Sequence, residues 1–94
     1  MSNKFELGKM YMTAGVAAKV KESAEFARFV NDSINRYTSC DWGDTCQSDW
    51  KLNDSAIASE GRILAVYKKE DSPTIWIITE WDREYTTILF PSEY

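Results

Sequence analysis

The chain of 94 residues has no histidine, two cysteines, two prolines and four glycines. Without histidine, Ser–His and Cys–His catalysis and ordinary zinc sites are excluded. Cys40 and Cys46, with five residues between them in C-x5-C spacing, match no metal motif. They read as reduced thiols near a helix start rather than as a redox pair. The glycines, Gly8, Gly15, Gly43 and Gly61, are scattered, so no phosphate-cradling loop exists. No apolar run approaches the ~18 residues of a membrane span, and the longest, such as 75–78, are strand-sized. Residues 1–9 carry two lysines and a glutamate without an apolar run, so no secretory signal is expected. A cytoplasmic location follows as the expectation. A basic patch is missing too: Lys68 and Lys69 are followed at once by Glu70 and Asp71, which argues against direct nucleic-acid binding.

What the chain does have is apolar mass. Hydrophobic residues make up 44 %, including four Trp, five Tyr and four Phe. That suffices for one modest core and one domain over residues 1–94, and it argues against disorder.

Periodicity divides the chain. Phe5, Leu7, Lys9 and Tyr11 alternate with Glu6, Gly8, Met10 and Met12, as in a short strand. Thr13 reads as an N-cap, and Val16, Val20, Phe26, Ala27, Val30, Ile34 and Tyr37 form one helical stripe. Ser23 is a possible second cap, so one long helix and two shorter ones remain alternatives. Asp44 with Gln47 resembles a capping box, opening a helix with Cys46, Trp50 and Ile57 on one side. Asp49, Lys51, Asp54 and Ser55 fall among its exposed positions, and Gly61 is placed as its left-handed terminator. Thereafter the period is two. Strands are expected at Ile63–Tyr67, 74–81 and 85–90, with turns at 70–73 and 82–84. In the middle strand Ile75, Ile77, Thr79 and Trp81 share one face, and Trp76, Ile78 and Glu80 the other. That pattern predicts a central strand covered by helices on one side and partly covered on the other. The fold class is α+β: an N-terminal strand, two or three helices, then a three-stranded antiparallel β-meander. Trp76 and Trp81 are expected in the core, Trp42 at the surface.

The formal charge is −4. Residues 38–60 hold five acids, Asp41, Asp44, Asp49, Asp54 and Glu60, against the single base Lys51. Elsewhere acids and bases cancel. The whole net charge therefore lies in one loop and the helix after it. It reads as a solvated, capped helix face, as a docking face for a basic partner anchored by tryptophan, or as a divalent-metal site. The metal reading is the weakest, since Asp41-Trp42-Gly43-Asp44 lacks the spacing of a calcium loop. Neither a metal nor a cofactor is expected. Glu80 and Asp82 could supply paired carboxylates, but Arg83 pairing with one of them is the simpler reading. No catalytic residue is assigned.

Several stretches resemble a family of short bacterial proteins carried on plasmids, phages and integrated elements, commonly labelled "plasmid-related protein". They are Asp41-Trp42-Gly43-Asp44, Asn53-Asp54, Gly61-Arg62-Ile63-Leu64, and Ile75-Trp76-Ile77-Ile78-Thr79-Glu80. Further on, Asp82-Arg83, Thr86-Thr87-Ile88-Leu89-Phe90-Pro91 and Glu93-Tyr94 continue it, and Leu7-Gly8-Lys9 and Thr13-Ala14-Gly15 fit as well. The resemblance implies a genomic setting rather than a chemistry. In that setting the expectation is a non-catalytic protein that inhibits or modulates a host nucleic-acid-handling defence complex, in the manner of anti-CRISPR or anti-restriction proteins. Asp41, Trp42, Asp44, Asp49 and Asp54 would contact a basic surface on the host protein. The alternatives are a small divalent-metal hydrolase or nuclease using Asp41, Asp44, Glu80 and Asp82, and an oligomeric accessory protein paired through the edge strand Ile63–Tyr67. A monomer or a small homo-oligomer is compatible with the sequence.

Overall fold

The computed structural model describes residues 4–94, so the first three residues of the segment read as lacking a secretory signal lie outside it. The elements are β1 (Lys9–Met12), α1 (Ala14–Glu22), α2 (Ala24–Thr38), α3 (Gln47–Ser59), β2 (Ile63–Tyr67), β3 (Ile75–Thr79) and β4 (Tyr85–Leu89), closed by a 3-10 turn, Pro91–Glu93. The architecture is α+β, with three helices. The last three strands form the antiparallel meander, but the sheet as a whole is mixed, in the order β1-β4-β3-β2. β1 joins it parallel to β4, aligning Lys9 with Tyr85 and Met12 with Ile88.

β1 is shorter than the alternation over residues 5–12 suggests. Gly8 takes φ +65°, and a Cβ there would sit 2.3 Å from the Glu84 carbonyl oxygen. Only glycine combines that conformation with that approach. The chain upstream therefore turns out of the sheet, and Phe5 packs beside Tyr37 and Trp42 with ring centroids 5.4 and 5.9 Å away.

Ser23 decides between one helix and two. Its backbone N–H closes α1 on the Lys19 carbonyl, while its Oγ accepts the Phe26 N–H at 3.2 Å and opens α2. At the head of α1, the Thr13 hydroxyl accepts from the Val16 N–H and donates to Glu93 at 2.6 Å. That bond, with one from the Phe90 N–H, holds the Glu93 carboxyl below its usual range. It also ties the closing turn to the start of α1.

α2 lays Phe26, Phe29, Val30, Ser33 and Tyr37 on the sheet. β2, β3 and β4 answer with Ile63, Ala65, Tyr67, Ile75, Ile77 and Ile88, all buried. Inside this apolar layer lies one polar chain. Tyr37 Oη meets Thr79 Oγ1 at 2.7 Å, Thr79 meets Thr86 Oγ1 at 2.7 Å, and Thr86 donates to the Leu7 carbonyl at 2.7 Å. Each hydroxyl has one proton. Because the Thr86 proton goes to a carbonyl, Thr79 must donate to Thr86 and Tyr37 to Thr79. Burial raises the Tyr37 pKa, so it remains a donor. Replacing Thr79 with valine breaks the chain in its middle and leaves buried groups unpaired. It should lower the unfolding free energy by about 1–3 kcal/mol in a urea titration; an unchanged midpoint would contradict the chain.

Candidate functional site

The acidic segment turns out to be knitted into the fold. Asp41 receives two bonds from Arg36, Nε to Oδ2 at 2.9 Å and a terminal nitrogen to Oδ1 at 3.2 Å. With the Gly43 N–H also bonded to Oδ1, its carboxyl is held below the usual range, chiefly by Arg36. Trp42, expected at the surface, is wholly buried. Its ring packs on Tyr37 at 5.4 Å, and its indole N–H donates to Asp54 Oδ1 at 2.9 Å. The aspartate that seemed free on α3 is the polar partner that allows the indole to be buried. Gly43, with φ +66°, leaves no room for a Cβ against the Tyr67 ring 2.4 Å away.

The next residues seal the outer edge of β2. The Asp44 N–H donates to the Val66 carbonyl at 2.7 Å, and Thr45 Oγ1 accepts the Val66 N–H at 2.9 Å. The Thr45 hydroxyl proton goes to the Trp42 carbonyl. Asp44 Oδ2 accepts the Lys68 N–H at 2.8 Å. From α3, Asn53 accepts the Leu64 N–H at 3.2 Å and donates to the Leu64 carbonyl at 2.8 Å. Every outward backbone group from Leu64 to Val66 thus has a partner, as does the Lys68 N–H. Pairing of a second chain along Ile63–Tyr67 is barred by these bonds.

These contacts correct other local expectations. Asp44 does not cap α3: the cap position is Cys46, without a side-chain bond. The left-handed residue ending α3 is Glu60, with φ 58°, rather than Gly61. Gly61 instead packs closely on α3, where a Cβ would lie 3.2 Å from that of Ala56 and crowd it. Arg83 pairs with neither neighbouring acid. It reaches the end of α3, donating to the carbonyls of Ala56 at 2.9 Å and Gly61 at 2.6 Å, where a cation suits the negative helix terminus. Cys46 is exposed; Cys40 is partly buried, and burial raises its thiol pKa.

The four carboxylates of the hydrolase reading are not brought together. Asp41 and Asp44 sit at the Tyr67 end of β2, whereas Glu80 pairs with Arg62 at the other end, 3.6 Å away. A five-residue strand separates the two ends, roughly 13–17 Å of chain. Asp82 accepts the Glu84 N–H in its own turn. Among the described residues, no three of His, Cys, Asp and Glu are grouped to hold a metal ion.

A different surface stands open. The sheet registers place Tyr11 beside Thr87, Thr87 beside Ile78, and Ile78 beside Leu64, all on the side away from Ile77 and Ile88. On this face Tyr11 meets Tyr85 edge-to-face at 6.1 Å, and Trp76 meets Tyr94 at 5.4 Å. Arg62 stacks over the Tyr94 ring at 5.4 Å and donates to its hydroxyl at 2.7 Å. Ile78 and Leu89 are buried there, yet Tyr11, Tyr85 and Tyr94 remain 51 %, 41 % and 66 % exposed. Along the β2 side, Asp49, Leu52, Asn53, Arg62 and Leu64 line a shallow pocket where α3 borders the face. Trp81, expected in the core, is 65 % exposed, because β3 ends at Thr79 and the Glu80–Arg83 turn carries the next residues outward.

Of the five residues named from the acidic run, Trp42 is withdrawn into the core, and Asp41, Asp44 and Asp54 each accept an internal bond. Asp49, exposed on α3, accepts none from the described residues. The sequence reading did not single out Tyr11, Leu52, Tyr85 or Tyr94. Tyr11 and Tyr85 lie on alternating strand positions, but only the parallel β1–β4 pairing puts them side by side. No family model matches the chain, and no curated protein or solved structure shows significant similarity to it. Among the described residues, no helix is long and apolar enough to cross a membrane.

Proposed function

We propose that the chain is a non-catalytic binding protein, and that it meets a partner protein through the open sheet face where that face borders α3. The observation that carries this reading is the exposure of two large apolar side chains at that border, Leu52 on α3 and Tyr94, which Arg62 holds beside it. Contiguous apolar surface rimmed by polar groups marks interaction sites, and Tyr and Trp are favoured anchors. Asp49, beside Leu52, adds a carboxylate at this border that a basic group of a partner can meet. The resemblance to mobile-element proteins suggests the partner's class, a host nucleic-acid-handling defence complex.

Testing this needs a variant that leaves the internal bonds intact. Reversing Asp44 and Asp54 would remove the acceptors of Lys68 and Trp42, so Asp49→Lys combined with Leu52→Glu is the better choice. In cells restricting phage by a restriction enzyme or an RNA-guided nuclease, expression of the wild-type chain should raise phage plating efficiency. The double variant should not, although equally folded by circular dichroism. Unchanged plating with the wild type in both backgrounds, or full activity of the variant, would overturn the proposal.

A further inference from the structure

The two edges of the sheet are treated differently. The β2 edge is closed by Asp44, Thr45 and Asn53. β1 is a bare edge. Its Lys9 N–H donates to the Glu84 carbonyl and the Thr13 N–H to that of Ile88, both at 3.0 Å. In a parallel ladder this alternation turns the backbone of Lys9, Tyr11 and Thr13 toward β4 and that of Met10 and Met12 away from the sheet. All four residues of the strand are exposed. Met10 and Met12 lie on the helix side, beside Thr86 and Ile88, yet remain 42 % and 45 % exposed, so α1 stops short of the edge.

We propose that a second copy of this chain pairs with this edge, β1 antiparallel to β1 about a two-fold axis at Tyr11. The register follows from which groups face outward. In an antiparallel ladder directly opposed residues exchange both N–H···O bonds, so opposing Met10 of one copy with Met12 of the other lets both outward residues of β1 pair. The axis then falls on Tyr11 opposite Tyr11, a non-hydrogen-bonded pair whose side chains approach closely. Both outward residues of β1 are used, and Gly8, where the chain leaves the strand, is not needed. The charges agree. Lys9 is the only charged residue of β1 and comes opposite Thr13, so the two lysines stand at opposite ends of the interface. On the open face the pair Tyr85 and Tyr11 continues into Tyr11 and Tyr85 of the second copy. On the helix side, Met10 and Met12 cover one another. An isologous contact closes on itself and ends the growth that a bare edge otherwise invites.

So short a ladder lies below the ~1,200 Å2 typical of stable interfaces, so the dimer should be weak, dissociating on the order of 100 μM. Sedimentation velocity from about 10 μM to about 1 mM should show the sedimentation coefficient rising toward a dimer. Tyr11→Asp sets two carboxylates against each other at the axis, and Tyr11→Lys two ammonium groups; each should remain monomeric. Because residue 11 faces itself, an equimolar mixture of the two should recover the dimer. Met12→Pro, which deletes only an outward N–H at a position where an edge strand tolerates proline, should also be monomeric. A wild type that stays monomeric at the highest concentration overturns the inference, as it would if the edge serves a strand of another protein. So does a dimer that survives Tyr11→Asp and Met12→Pro, or a mixed sample that fails to pair.

Discussion

Replacing Trp42 with alanine should lower the unfolding free energy by about 3–5 kcal/mol, the range found when a large buried aromatic is truncated. A urea titration followed by far-ultraviolet circular dichroism would measure it. Trp42 has no exposed surface and lies between Phe5, Tyr37 and the segment that seals β2. Truncation opens a cavity where two chain segments meet, and it leaves Asp54 without its indole donor. Small domains have roughly 5–15 kcal/mol in all, so much of the stability is at stake. Trp42→Phe separates the two contributions. It retains most of the ring and loses the N–H, so its loss should be nearer ~1 kcal/mol, that of one hydrogen bond. A Trp42→Ala protein as stable as the wild type would show that the indole is not in the core.

Asn53→Ala should have the next largest effect, a loss of about 2–3 kcal/mol together with a new tendency to associate. Asn53 is buried and bonds both the N–H and the carbonyl of Leu64. Alanine removes two hydrogen bonds, each contributing about 0.5–1.5 kcal/mol, and leaves a small void. It also uncovers the middle of β2 as a template for another strand. Thermal melting would read the first effect, and light scattering at increasing concentration the second. If the edge is held chiefly by Asp44 and Thr45, the variant would melt like the wild type and stay soluble, which would remove the role given to Asn53.

These two residues show where local patterns stop being informative. Trp42 stands among acids in a segment without periodicity, and such a segment ordinarily lies on the surface. Its burial depends on Phe5, distant in sequence, and on Tyr37, five residues back but on the helical stripe that ends before the loop. Asn53 is one polar residue among many on α3, and its partner lies on a strand formed after the helix ends. Arg83 is a further case: beside Glu80 and Asp82 its charge suggests a local pair, yet its reach allows it to cap α3, whose last carbonyls lack partners within the helix. By contrast, Ser23 was readable as a second cap because capping is a local bond over three residues.

By itself the sequence determined what a repeating pattern can encode. It specified the α+β class, two or three helices and the antiparallel β2-β3-β4 meander, with β3 covered on one face and half-covered on the other. It also excluded histidine chemistry. These follow from period, caps and composition, which act within a few residues. Only the tertiary structure decided that β1 joins parallel to β4, that Asp44, Thr45 and Asn53 close the β2 edge, and that the β1 edge and the aromatic face stay open. Each of those depends on a hydrogen bond or a packing contact between distant segments. Whether a charge is a surface feature or an internal bond is settled by the residue that arrives opposite it.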